Sequence, residues 1–170
     1  VHSMSRNIFF ISIPIFFFSL ACSLPFGDGR LSSRSPSNET SEEDRLIMLQ
    51  LVNDLRKNGC LCGNTYMPPT SPLQLHEKLN QTAQLHAEDM YTKQFLGHRG
   101  SDGSRVSDRA ERAGYDWQNI GEKISAGYPS VEAAYQGWRN SSDHCKNMMG
   151  DHFQDMGLAR MGDYWVQTLG

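Results

Sequence analysis

The sequence has little that would mark a nucleic-acid binder, a disulfide scaffold or a simple local catalyst. Its 170 residues carry 16 Lys+Arg against 19 Asp+Glu, a formal charge of −3, so no basic stripe is available for nucleic acid. Four cysteines are too few for a disulfide-dense fold, and 38% hydrophobic with 21% charged residues is ordinary globular composition. There is no G-x-S-x-G elbow, no H-E-x-x-H and no Gly-rich phosphate loop. His76-Glu77 opens like a zincin helix, but Asn80 stands where the second His is needed. One domain plus accessory segments fits this length.

An apolar run does occur near the start. Ile8 to Ala21 follows Arg6, contains Pro14 and ends on small residues. A spanning helix needs about 20 apolar residues, so residues 1–21 read as a secretory signal peptide. Leu20-Ala21-Cys22 also resembles the bacterial lipobox, which makes Cys22 the expected lipidation site. Residues 22–42, rich in Ser, Pro, Gly and Asn, read as a linker that holds residues 43–170 away from a membrane. Lipid anchoring in the cell envelope is preferred here over free secretion, with no nucleic acid as partner.

Within the domain, Ser41-Glu42-Glu43-Asp44 is a capping-box pattern before Ile47, Met48, Leu51, Val52 and Leu55 at helical spacing, with Gly59 as a stop. Cys60 to Ser71 reads as loop. A second helix is predicted from Leu75, ending near Gly97, a third over Val106 to Ala113 and a fourth behind Ser130. Tyr115 to Ala126 reads as a strand, and Met156 to Thr168 as a hairpin turning at Met161-Gly162-Asp163. Helices flanking a mostly antiparallel sheet make this an α+β domain.

Three cysteines fall inside it. Oxidising conditions predict one bridge and one leftover thiol, and Cys60 or Cys62 with Cys145 is more reasonable than Cys60 with Cys62. His86 lies on an apolar helix face and reads as a hydrogen-bonded core histidine. His98 in a Gly-rich loop, Glu122 in an apolar strand and His144 past the fourth helix are the candidate functional residues. Two imidazoles and a carboxylate form a His₂Glu donor set for zinc, though spacing alone does not bring them together.

The stretches LVNDLRKNGCLCG, LNQTAQLHAEDM, FLGHRGSDGSRVSDRAERAGYDWQNIGEKISAGY, GWRNSSDHCKNMM, FQDMGLAR and YWVQTLG resemble, in order, the CAP superfamily. This is the group of cysteine-rich secretory, venom-allergen and plant pathogenesis-related proteins. The resemblance implies a three-layer α-β-α sandwich with a cleft. It places His98, Glu122 and His144 on family cation-site positions, with Ser141 where a second Glu is usual and Lys123 where Asn is usual. It also favours Cys62, in Cys62-Gly63, as the partner of Cys145. The expected function is an exported binding or interaction module, more readily than an enzyme. Its cleft would hold weakly a Zn²⁺ or other divalent cation and a small apolar or peptide ligand, or an envelope component. A metal-dependent or serine-type hydrolase using Ser141 or Ser142 is the alternative.

Overall fold

A computed structural model describes residues 39–170; the expected signal peptide, the expected lipidation site Cys22 and the expected linker up to residue 38 lie outside them. No helix among the described residues is long and apolar enough to cross a membrane. The chain enters the fold at Glu39, bridged antiparallel to Met161, and Thr40 Oγ1 accepts from the Arg160 amide.

Helix α1 (Glu42–Asn58) starts at Ser41, whose hydroxyl accepts from the Asp44 amide while Asp44 accepts from the Ser41 amide. Three acids in its first turn and Arg56-Lys57 in its last complement the helix dipole, and Gly59 ends it at φ +67°. The following segment departs from the expected loop. Strands β1 (Cys60–Cys62) and β2 (Thr65–Met67) form a small hairpin closed at Gly63-Asn64, with Cys62 paired to Thr65. Gly63 has φ +60° there, a conformation glycine adopts without Cβ penalty.

Strand β3 (Gln74–Leu75) lies where the second helix was expected to begin; helix α2 (Glu77–Lys93) starts behind His76 instead. It stops at Gln94, in the left-handed region, before reaching Gly97. Helix α3 (Val106–Arg112) precedes strand β4 (Gly121–Ala126), so Tyr115 to Ile120 is not strand. Helix α4 (Val131–Asn140) is capped by Ser130, and an extended Ser141 separates it from α5 (Ser142–Met148). Strands β5 (Asp155–Met161) and β6 (Tyr164–Leu169) form the expected hairpin.

The main sheet runs β3-β5-β6-β4, parallel only between β3 and β5. Alternation along its strands divides the core. Met156, Leu158, Trp165 and Leu169 join α1, α4 and α5 residues such as Met48, Val52, Trp138 and Met148. On the other face Ala159 and Val166 meet Ala83, Ala87 and Met90 of α2. The result is a three-layer α-β-α sandwich of α+β class. The α2 layer sits close: a Cβ at Gly157 would fall 2.1 Å from the Leu79 carbonyl carbon. Two polar contacts fix that approach, Leu158 N to Asn80 Oδ1 and Thr168 Oγ1 to Leu79 O.

Candidate functional site

Strand β4 is an edge of the sheet, and successive side chains on it point to opposite faces. Glu122 therefore faces the α2–α3 layer, and Lys123 faces the α1–α4–α5 layer. The two neighbouring charges are thus placed on opposite faces of the sheet.

Glu122 is only 3% exposed yet fully paired. Its Oε2 accepts from Arg109 Nη2 at 2.7 Å, and its Oε1 lies 2.9 Å from His98 Nδ1. Arg109, itself buried in α3, also donates to the carbonyls of Ser104 and His98. His98 is 60% exposed and forms the rim of the group. Behind it His86 is completely buried; its Nε2–H donates to Gly97 O at 2.8 Å, and that nitrogen lies 3.8 Å from Glu122 Oε1. His86 is thus the hydrogen-bonded core histidine expected, but it also backs the site. Its Nδ1 has no hydrogen-bond partner among the described residues. Burial pushes the His86 pKa down, opposed by Glu122 and reinforced by Arg109.

The loop carrying His98 is held from several sides. Gly100 N donates to Ser104 O, Ser101 N to Asp89 Oδ2, and Arg112 pairs with Asp102 at 2.7 Å. Hydrogen bonds from Ser104 and Arg112 hold the Asp102 carboxyl well below the usual range. A pocket of about 380 Å³ opens beside it, lined by His98, Arg99, Arg105, Val106 and Glu122. Its wall is mainly apolar. Neither Arg99 nor Arg105 has an ion-pair partner among the described residues.

His144 comes from α5, on the other side of the sheet edge. Burial lowers its pKa, and the positive charges of Lys123 and His98 add to that, so it lies near His98 without joining the Glu122 contacts. Ser141 breaks α4 from α5, and Ser142 Oγ donates to Cys62 O. Among the described residues no Ser or Thr hydroxyl is hydrogen-bonded to an imidazole. Lys123 is fully buried and donates to Asn147 Oδ1 at 2.6 Å. Burial drives its pKa well below the ordinary lysine value.

The donor types of His98, Glu122 and His144 suit a borderline cation. Their arrangement does not fit one as it stands: Arg109 already occupies Glu122 Oε2, and the three ligand atoms do not gather within 4.8 Å of one another. The compact set of metal-type donors among the described residues is Cys60, Cys62 and Cys145. Of these, Cys62 and Cys145 are joined in a disulfide and Cys60 is free. Arg109 was missed by sequence reading; the buried, unpartnered acid expected at position 122 was the signal for a buried cation nearby.

A three-layer α-β-α domain with an edge cleft built on His and Glu defines the class. The chain belongs to the cysteine-rich secretory protein (CAP) family, whose model matches residues 49–168. It is 27% identical over 131 residues to the uncharacterized membrane protein YlbC of Bacillus subtilis; the match takes 77% of this chain and 35% of that protein. The chain thus spans about a third of that relative's length. An extracellular SCP-domain protein of Bacillus anthracis superposes with a TM-score of 0.60 at 24% identity, covering 73% of this chain and 40% of the other. An outer surface protein of Borrelia burgdorferi gives 0.64 at 19% identity, covering 78% and 96%. At these identities the two structures establish the fold alone.

Proposed function

We propose that this is an extracytoplasmic binding module, tethered through Cys22, whose cleft takes a small ligand with an anionic end and an apolar body. The observation that carries this reading is the pocket at His98. Glu122 is already neutralised by Arg109, so the unpaired charge around the opening belongs to Arg99 and Arg105. A carboxylate or phosphate there gains charge-assisted, bidentate hydrogen bonds, and Val106 with the mainly apolar wall receives the rest of the molecule. The extracellular, surface and membrane descriptions of the relatives support export.

A weakly held divalent cation is a second reading, favoured by the His98–Glu122 contact and by the proximity of His144. It requires Arg109 to yield Glu122, which makes binding exchangeable. Among the described residues a hydrolytic role has no paired nucleophile to support it.

Calorimetry with decanoate and, separately, with Zn²⁺ tests both. Decanoate should bind the wild type and lose at least tenfold in affinity in Arg99→Glu/Arg105→Glu, about 1.4 kcal/mol or more. Undiminished decanoate binding in that variant would overturn the anionic-ligand reading. Zn²⁺ binding abolished by His98→Ala and by His144→Ala would support the cation reading; binding unchanged in both would refute it. Turnover of an ester or peptide library, lost in His98→Ala, would replace the binding module by the hydrolase. For the tether, labelled fatty acid should be incorporated in a bacterial host and be lost in Cys22→Ser; a soluble, unlabelled wild type would refute anchoring.

A further inference from the structure

The cysteine cluster lies away from the cleft and contains more than a structural bridge. Cys60 and Cys62 are two residues apart on β1, so both side chains leave the same face of the strand. That face meets α5 at Cys145. The Cys60 sulfur lies 3.7 Å from Cys62 Sγ and 3.8 Å from Cys145 Sγ. A free thiol at nearly equal distance from both sulfurs lies beside the bond, so exchange requires the Cys60 side chain to turn its sulfur onto the line of the S–S bond, a move that starts from contact distance.

The surroundings favour one direction of entry. Cys62 and Cys145 are fully buried with Met149, whereas Cys60 is partly exposed and open to water. Arg139 donates to Leu61 O at 2.9 Å, fixing the strand between the two β1 cysteines, and reaches Cys145 Sγ at 3.4 Å. Its guanidinium therefore stands beside the central sulfur of the exchange, where negative charge is shared over three sulfur atoms.

We propose that Cys60 is the exchange thiol of the Cys62–Cys145 bridge, so that β1 is linked to α5 through either Cys62 or Cys60. The Cys60 thiolate attacks Cys145 Sγ; the Cys60–Cys145 bond forms as the Cys62–Cys145 bond breaks. The electron pair of the broken bond leaves on the Cys62 sulfur, which takes up a proton from water to replace the one Cys60 gave up. No net oxidation or reduction occurs, and no external oxidant is required. Attack at Cys62 instead would join two cysteines of one strand and release α5. The Cys145 route keeps the hairpin and helix connected and moves the joint by two residues along β1. Because α5 also carries His144, the two bridged forms hold that residue's helix at different points of the hairpin.

The test uses the intact folded protein, incubated at neutral pH, quenched in acid, unfolded in an alkylating reagent and mapped without reduction by tandem mass spectrometry. The label should divide between Cys60 and Cys62, with Cys60–Cys145 and Cys62–Cys145 peptides both present. Label confined to Cys60 at every incubation time would overturn the proposal. Cys62→Ser supplies the second arm: it should form Cys60–Cys145 on air oxidation with an unchanged circular dichroism spectrum. Two persistent free thiols in a folded Cys62→Ser protein would overturn it equally. In Cys60→Ser the bridge should stay at Cys62–Cys145 with no other isomer, and a scrambled map there would contradict the assigned role.

Discussion

The two faces of β4 handle neighbouring charges in opposite ways. On one side Glu122 is paired to Arg109, touched by His98 and backed by His86. On the other, Lys123 has a single amide oxygen, from Asn147. The first group ends at an exposed imidazole and a pocket; the second is sealed under α5. A buried charge given several polar partners and a route to solvent can serve recognition, whereas a buried amine with one partner serves packing at a cost. The proposed ligand chemistry of this domain accordingly falls on the Glu122 face.

The sharpest way to break that contrast is Arg109→Leu, which leaves Glu122 buried without its cation. Removing one partner of a buried ion pair costs about 3–5 kcal/mol, and urea unfolding should show a loss of that size. A loss below about 1 kcal/mol would mean that water or the imidazoles already satisfy Glu122.

On the sealed face the sign reverses. Lys123→Met removes an amine whose burial opposes its charge and replaces it with an apolar chain of similar length. Stability should rise by about 1 kcal/mol, the low end for replacing buried charge by apolar packing. A clear decrease in the urea midpoint would show that the bond to Asn147 outweighs desolvation.

The smallest effect concerns pH. Burial lowers the folded-state pKa of His86, and of His144, below the ordinary value near 6.5. Above 6.5 both states carry neutral imidazoles and the native advantage is complete. As pH falls below it the unfolded chain takes up protons first, so stability declines toward the folded-state values. Thermal melts between pH 7 and 5 should show this slope, flatter in His86→Gln. A slope unchanged in that variant would assign the acid sensitivity elsewhere.

Much of the architecture was legible because its signals are local. Ser41 with Asp44, Gly59, the Ser130 cap and the turn at Gly162 each announce an element boundary through its own chemistry. Elements fixed by distant partners were not legible. Strand β3 is two residues long and exists because β5 lies beside it. The β1–β2 hairpin was hidden in a stretch whose Gly and Pro content suggested loop. In the site, His98 and Glu122 do meet, but Arg109 came from a helix on which no side chain had been singled out. Strand alternation alone would have sent Lys123 away from Glu122. The Cys62–Cys145 pairing came from family resemblance, because thiol count left Cys60 equally eligible.

The most direct test of the account is a nuclear magnetic resonance titration of the domain with decanoate, following backbone amides on both faces of β4. Shifts should concentrate at His98, Arg99, Arg105 and Val106 and saturate together, while Lys123 and Asn147 stay unmoved. Saturable shifts centred on Lys123 and Asn147, with His98 and Arg105 silent, would contradict the assignment of ligand chemistry to the Glu122 face.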